Sequence, residues 1–337
     1  MNIREELEYQ EHRRLNPLAA FSDRSSGRPV PYQPNDNDVR TCYQRDGDRI
    51  VHCKSFRRLM HKTQVFLRPE GDHYRTRMTH TLEVSRIART ITRALALNED
   101  LAEAIALGHD LGHTPYGHAG EDALTQCLGQ PFRHNEQSLR VVDVLENNGA
   151  GLNLTNEVRL GILGHSGAYS PETLEGRVVR WADRIAYVNH DIDDATRAGI
   201  LSYEDIPKSI SSVLGDTHGQ RIDTLVCDMI LTSREEGDIV FTPQVDRALD
   251  DLRNFLFEKV YRNPVAKGEE TKAKDMIKRL YEYYESNPHM LPEDFQPQMS
   301  FDGLGRTVCD YIAGMTDKYA VDKFAEIFTP TSWRVRG

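Results

Sequence analysis

LAEAIALGHDLGH, residues 101–113, is the stretch whose reading decides the fold. Asn98 offers a cap in front of it, and Glu99 and Asp100 put negative charge in a first turn, where the helix dipole favours it. A helix is therefore predicted through the stretch, and it carries the adjacent pair His109–Asp110. Neighbouring residues on a helix point about 100° apart, so the two side chains do not share a face. Both can still reach one ion lying in a groove between helices.

Outward from this stretch the same periodicity continues. Before it, Leu82, Val84, Ile87, Ala88, Ile91, Leu95 and Leu97 recur at helical spacing. After it, helical runs are predicted over Glu136–Asn147, Asn156–Leu163, Leu174–Arg197, Gln220–Ser233, Pro243–Val260, Glu269–Asn287 and Leu304–Phe328. Strand signals are few and short, at Val65–Leu67 and Asp238–Thr242, so the expected fold class is all-α. RSSGRPVPYQPNDND, Arg24 to Asp38, is rich in Ser, Pro, Gly and Asn and reads as an irregular N-terminal arm, with regular structure starting after it. The Pro-rich stretch Pro288–Pro297 reads as a loop before the last helix.

Composition narrows the class. A chain of 337 residues, 39% of them hydrophobic, can build a buried core of one large or two ordinary domains. No run approaches the roughly 18–20 apolar residues of a membrane span, and MNIREELEYQ lacks the apolar centre of a signal peptide. Cys42, Cys53, Cys127, Cys227 and Cys309 are scattered without a C-x-x-C pair, as expected of reduced, mostly buried thiols in a cytoplasmic protein. The net charge of −10 argues against a protein that coats nucleic acid over its whole surface, yet Arg40 to Arg93 holds 13 Lys or Arg against 5 Asp or Glu. That segment is a candidate for facing a polyanion.

Four potential metal ligands follow in order: His80, His109, Asp110 and Asp183, each in or at the end of a predicted helix. Two imidazoles and two carboxylates form a fairly hard, mixed set that suits one divalent ion, Mn, Mg, Fe, Co, Ni or Zn, and leaves positions open for water or phosphate oxygens. Such a set favours catalysis over structural closure.

The surrounding words are more specific. RTRMTHTLEVSRIART (75–90), ALGHDLGHTPYGHAGEDAL (106–124), GLNLTNEVRLGILGHSG (151–167) and RWADRIAYVNHDIDD (180–194) stand in order, flanked by RTCYQRDGDRIVHCKSFRRLMHKTQVF (40–66) and CDYIAGMTDKYA (309–320). In these the chain resembles the deoxyguanosinetriphosphate triphosphohydrolase (dGTPase) family of HD proteins, from about Arg40 to about Ala320. The resemblance implies an HD-domain helical bundle with a core at about 75–200 and a C-terminal helical extension at about 215–337. The expected organisation is an arm over 1–39 and a single helical domain over 40–337.

It also implies roles. The metal ligands fall on His80, His109, Asp110 and Asp183. His118 takes a catalytic role with Glu121 as the acid that orients it, three residues on and within reach along one helical face. His113 and His134 are grouped with them as catalytic residues, His134 as a further polar group near the phosphates. Arg77, one turn before His80, is placed to contact a phosphate; Arg184 and Tyr187 are implied phosphate contacts and Asp191 a contact to the sugar 3′-hydroxyl. Gln64 and Val65 resemble the family's sugar-facing pair. Arg184 departs from the acidic residue that follows the equivalent of Asp183 in many relatives, which bears on specificity. The expected reaction is hydrolysis of dGTP to deoxyguanosine and triphosphate by water attacking the α-phosphorus. Another HD nucleotide hydrolase (a 5′-deoxynucleotidase or phosphodiesterase) and a sensor that binds nucleotide or single-stranded nucleic acid are the rivals. Expected partners are a deoxynucleoside triphosphate, a nucleotide or single-stranded nucleic-acid effector, and further copies of the chain in a dimer-based homo-oligomer or hexamer.

Overall fold

The computed structural model describes residues 2–33, 35, 37–64, 75–262 and 264–330. Among them no strand forms; an isolated bridge joins Thr63 to Thr76, and Asp238–Thr242 is unpaired chain. Val65–Leu67 lies outside the described residues. The fold is all-α, and among the described residues no helix is long and apolar enough to cross a membrane. The helices that matter here are α1 (Ile3–Arg14), α2 (Cys42–Val51), α3 (Lys54–Arg58), α4 (Arg77–Ala94), α5 (Glu99–Gly108), α6 (His118–Leu128), α7 (His134–Arg140), α8 (Asn156–Gly164) and α9 (Leu174–Arg197). After them come α10 (Lys208–Leu214), α11 (His218–Glu236), α12 (Pro243–Leu256), α13 (Pro264–Ser286), α14 (Gln296–Asp302), α15 (Leu304–Ala313) and α16 (Asp317–Phe328).

Helix α5 is the hub. Asn98 caps it through the amides of Asp100 and Leu101, and Leu101, Ala102, Ala104, Ile105 and Ala106 are fully buried. Against it lie the apolar faces of α4 (Val84, Ala88, Ile91) and α9 (Val178, Val179, Ala182, Ile185, Ala186), with α11 and α12 adding Leu225, Met229, Leu249 and Leu252 to the same core. A second apolar cluster joins Ala119, Ala123 and Leu124 of α6 to Ile277, Leu280, Tyr281 and Tyr284 of α13 and to Val308, Cys309 and Ile312 of α15. The helix that begins at His118 is thus seated on C-terminal helices.

Two expectations are corrected. Regular structure does not wait for Arg40, because α1 precedes the irregular stretch, closed by an Asn2–Glu5 capping box. Its Glu11 is buried and accepts hydrogen bonds from the amide and hydroxyl of Ser22. The helix predicted over Leu304–Phe328 breaks in two: Gly314 and Met315 interrupt it, and Thr316 caps α16 through the amide of Tyr319.

Candidate metal centre

Three helices deliver the four predicted ligands. Thr76 caps α4, which places Arg77 and His80 in the first turn. His109 closes α5 and Asp110 begins the turn that follows. Asp183 comes from the middle of α9. His80 Nε2 lies 3.0 Å from Asp183 Oδ1, and His109 Nε2 lies 3.4 Å from Asp110 Oδ1 and 3.8 Å from Asp183 Oδ1. The side chains of His80, His109 and Asp110 are buried, and that of Asp183 is 20% exposed, so the cluster opens at Asp183.

The residues fit a divalent cation. His109 Nδ1 is engaged with Ala106 O at 2.6 Å, which fixes its proton there and leaves Nε2 as a lone pair. That Nε2 is buried and makes no hydrogen bond, and a buried polar atom without a partner is costly unless something such as an ion completes it. Burial works against charge on Asp110, but the imidazoles of His109 and His113 and the Arg77 guanidinium hold its carboxyl well below the ordinary range. The imidazoles of His80, His109 and His165 around Asp183 hold its carboxyl low against the same burial. Ionised carboxylates beside an open imidazole nitrogen form a donor set for a hard or borderline cation.

Beyond the ligands, the turn Leu111–Gly117 folds back over the site. Gly112 packs so closely on α7 that a Cβ there would meet the amide of Ser138 at 2.1 Å, and Gly117, at φ +53°, lies against Arg77 Nη2. Lys62, buried beneath, donates to the carbonyls of His113 and Ala313, and burial lowers its ammonium to about 7. Asp317 of α16 accepts from the amides of Thr63 and Tyr116 and the hydroxyl of Thr63. The C-terminal helices therefore hold the turn that carries His113.

Glu121 meets different partners from those its spacing suggests. Its Oε1 lies 2.9 Å from His134 Nδ1 and 3.2 Å from His113 Nδ1, the latter contact lying off the line a hydrogen bond needs. His118 is exposed at the start of α6, its ring 6.2 Å from that of His113 and 6.5 Å from that of His134. His113 and His134 are stacked at 4.0 Å and 11°, and burial depresses them to about 3 and about 4. Asp110, His113 and His134 also come close enough to suggest a second ion. An imidazole lone pair lies in its ring plane, however, so two rings stacked face to face do not aim at one ion between them, and we read this group as a hydrogen-bonded stack.

Of the predicted substrate-contacting residues, Arg77 touches Asp110, and Tyr187 and Asp191 lie near Asp183. Arg77 Nη1 donates to Asp110 Oδ2 at 2.9 Å while its Nε is buried without a partner. Gln64 Oε1 and Asp191 Oδ1 are likewise buried and unpartnered. Burial, with Asp194 and Asp183 nearby, pushes the Asp191 carboxyl well above its usual range. Tyr187, one turn after Asp183, is half-buried, and its hydroxyl is raised to about 12 by burial. Arg184, next to Asp183 in α9, places its guanidinium over Trp181 at 4.6 Å. Val65 lies outside the described residues.

Three residues unassigned from sequence join the site. His165, at the end of α8, sets Nε2 3.2 Å from His134 Nε2 and its Nδ1 on Ile162 O at 2.7 Å. His190 and Glu83 stand behind His80. Within the basic segment several cations are ion-paired: Arg40 and Arg45 with Asp38, Arg75 with Glu83, Asp193 and Asp194, Arg77 with Asp110, and Arg89 and Arg93 with Glu99.

A helical core that presents His-Asp from a helix end to a histidine and a carboxylate on flanking helices defines the HD class of phosphohydrolases. The HD domain family matches residues 77–188, and the phosphohydrolase-associated domain matches residues 239–326. The chain is 56% identical over 333 residues to a deoxyguanosinetriphosphate triphosphohydrolase-like protein of Caldanaerobacter subterraneus subsp. tengcongensis, covering 99% of this chain and 98% of that one. It is 50% identical over 339 residues to a protein of the same description from Clostridium perfringens, covering 98% of each, and 38% identical over 374 residues to another from Geobacter metallireducens, covering 95% and 97%. The chain belongs to the deoxyguanosinetriphosphate triphosphohydrolase-like family of HD-domain proteins.

Proposed function

We propose that this protein is a deoxynucleoside triphosphate triphosphohydrolase that converts dGTP and water to deoxyguanosine and triphosphate. The observation that carries the reading is a four-ligand cluster whose Asp183 is 20% exposed, with the buried, unpartnered Arg77 Nε and Asp191 Oδ1 on residues that neighbour its carboxylates, and a third such atom, Gln64 Oε1. Buried polar atoms without partners are rare in native proteins, and a guanidinium, an amide oxygen and a carboxyl match a phosphate and sugar hydroxyls.

His80, His109, Asp110 and Asp183 would hold a divalent ion, which would supply Lewis-acid polarisation of the α-phosphoryl group. Arg77, fixed by Asp110, places its guanidinium against the same phosphoryl oxygens, where it stabilises developing charge. Arg184 leaves Trp181 to bind the outer phosphates, and Asp191 accepts the 3′-hydroxyl. Water adds to the α-phosphorus, the bond from phosphorus to O5′ breaks, and O5′ takes a proton. His118, exposed at the start of α6, is the group that exchanges that proton with substrate. His113, Glu121, His134 and His165 supply a further hydrogen-bonded polar group beside Asp110.

Incubation of each of the four dNTPs with the protein and Mg²⁺ or Mn²⁺, with products resolved by ³¹P NMR, tests the reading. Inorganic triphosphate and deoxynucleoside are expected, with dGTP turned over fastest. Phosphate or pyrophosphate as first product points instead to a nucleotidase or phosphodiesterase of the same class, and binding without turnover to a sensor.

A further inference from the structure

Behind the metal ligands a second chain of contacts has its own polarity. His80 turns Nε2 toward Asp183 and the centre, and its Nδ1 lies 3.3 Å from Nδ1 of His190. His190 Nε2 lies 2.7 Å from Glu83 Oε2. Both imidazoles are 1% exposed, so water does not complete their hydrogen bonds. Glu83, on the same helix as His80 and 41% exposed, is gripped by Arg75 at 3.3 Å. Arg75 also reaches Asp193 and Asp194 of α9, each at 3.3 Å. Asp193 in turn accepts from Tyr203 at 2.7 Å and contacts His218 at 3.0 Å.

A single assignment of protons satisfies this chain. For Nε2 of His80 to offer a lone pair to an ion, its Nδ1 must carry the hydrogen and donate to His190 Nδ1. His190 then carries its own hydrogen on Nε2 and donates to the Glu83 carboxylate. Moving the His80 hydrogen to Nε2 sets two Nδ1 lone pairs against each other, and moving the His190 hydrogen to Nδ1 sets N–H against N–H there and a lone pair against the Glu83 carboxylate. We propose that Glu83 and His190 are positioning residues of the metal centre: a carboxylate–imidazole pair that fixes the His80 tautomer and ring orientation, anchored across α4 and α9 by Arg75. His80 differs here from His109, whose Nδ1 is held by the backbone carbonyl of Ala106. Outer partners of this kind typically contribute 10- to 100-fold in ion affinity. The inference rests on the metal reading above.

The test measures Mn²⁺ affinity by electron paramagnetic resonance of the free ion, on full-length wild type, His80→Ala, His190→Ala, His190→Asn and Glu83→Gln, each checked for folding by circular dichroism. His80→Ala is expected to abolish tight binding. His190→Ala and Glu83→Gln are expected to weaken it about 10- to 100-fold, with His190→Asn, which keeps an acceptor and a donor, falling between. Wild-type affinity in His190→Ala and Glu83→Gln, with binding lost in His80→Ala, overturns this proposal and leaves the metal centre standing. Failure of the wild type to bind Mn²⁺, Mg²⁺ or Zn²⁺ overturns both. Should a variant not fold, ¹⁵N NMR of the wild-type imidazoles decides: His190 is expected as the Nε2–H tautomer with and without ion, and an Nδ1–H tautomer contradicts the chain.

Discussion

The imidazoles of His113 and His134 lie face to face 4.0 Å apart, and Oε1 of Glu121 touches Nδ1 of both, at 3.2 and 2.9 Å. The acid three residues beyond His118 therefore serves the buried stack, and His118 stands apart from it. Glu121→Gln and His134→Gln are expected each to lower kcat by about 10²- to 10³-fold, and the double variant to be no worse than the poorer single, because groups acting as one unit are not additive. Steady-state kinetics on the three variants checks this; multiplicative losses would place the two residues in separate roles.

Arg77 is buried, pinned to Asp110 through one nitrogen and open at Nε. A lysine supplies charge without a second fixed donor. Arg77→Lys is expected to lose at least about 10²-fold in kcat/KM for dGTP, nearly as much as Arg77→Ala, since the planar fork is what the geometry uses. A near-normal Arg77→Lys enzyme would show that charge alone suffices there.

Asp191 combines burial with an unpartnered oxygen and carboxylate neighbours. A carboxyl raised in the folded state binds its proton more tightly there than in the unfolded chain. Its contribution to stability is thus present at low pH and lost as pH rises above the unfolded value near 4. Asp191→Asn removes that cost and is expected to stabilise the protein by about 1–2 kcal/mol at pH 7. The same change should cut kcat/KM for dGTP and shrink the preference for dGTP over its 2′,3′-dideoxy analogue. Urea melts and paired kinetics give both readouts.

Lys62 is buried, with an ammonium depressed to about 7, while the unfolded chain holds its proton to about 10.4. Between these values the unfolded state binds more protons, so stability rises with pH, and below about 7 the full penalty is present. Lys62→Met lacks this dependence. The wild-type stability measured against Lys62→Met is expected to climb from pH 7 to pH 9 by up to about 1.4 kcal/mol per unit. A flat difference in urea denaturation would mean that the ammonium stays charged against the His113 and Ala313 carbonyls.

How much of this was legible in the sequence differs by residue. The all-α class and the span Leu174–Arg197 could be read because apolar spacing and a capping Thr173 are local signals, and the structure reproduces that span. The gathering of His80, His109 and Asp110 followed from ordered motifs. Helix α1 escaped because it has no apolar stripe; its capping box and the buried Glu11 hold it instead. The resemblance pairs Glu121 with His118, which i,i+3 spacing allows, whereas α7 brings His134 Nδ1 to 2.9 Å from Glu121 Oε1 through tertiary packing. His165, His190 and Glu83 acquire roles only when α8, α9 and α4 converge, which no local pattern encodes.

The most direct test of the central claim is hydrolysis of dGTP in H₂¹⁸O with Mg²⁺ or Mn²⁺, followed by mass spectrometry of both products. Attack on the α-phosphorus within the His80, His109, Asp110 and Asp183 centre predicts one ¹⁸O in the triphosphate and none in deoxyguanosine, with turnover lost in Asp183→Asn. Label in deoxyguanosine, or label in free phosphate or pyrophosphate with no triphosphate formed, would contradict it.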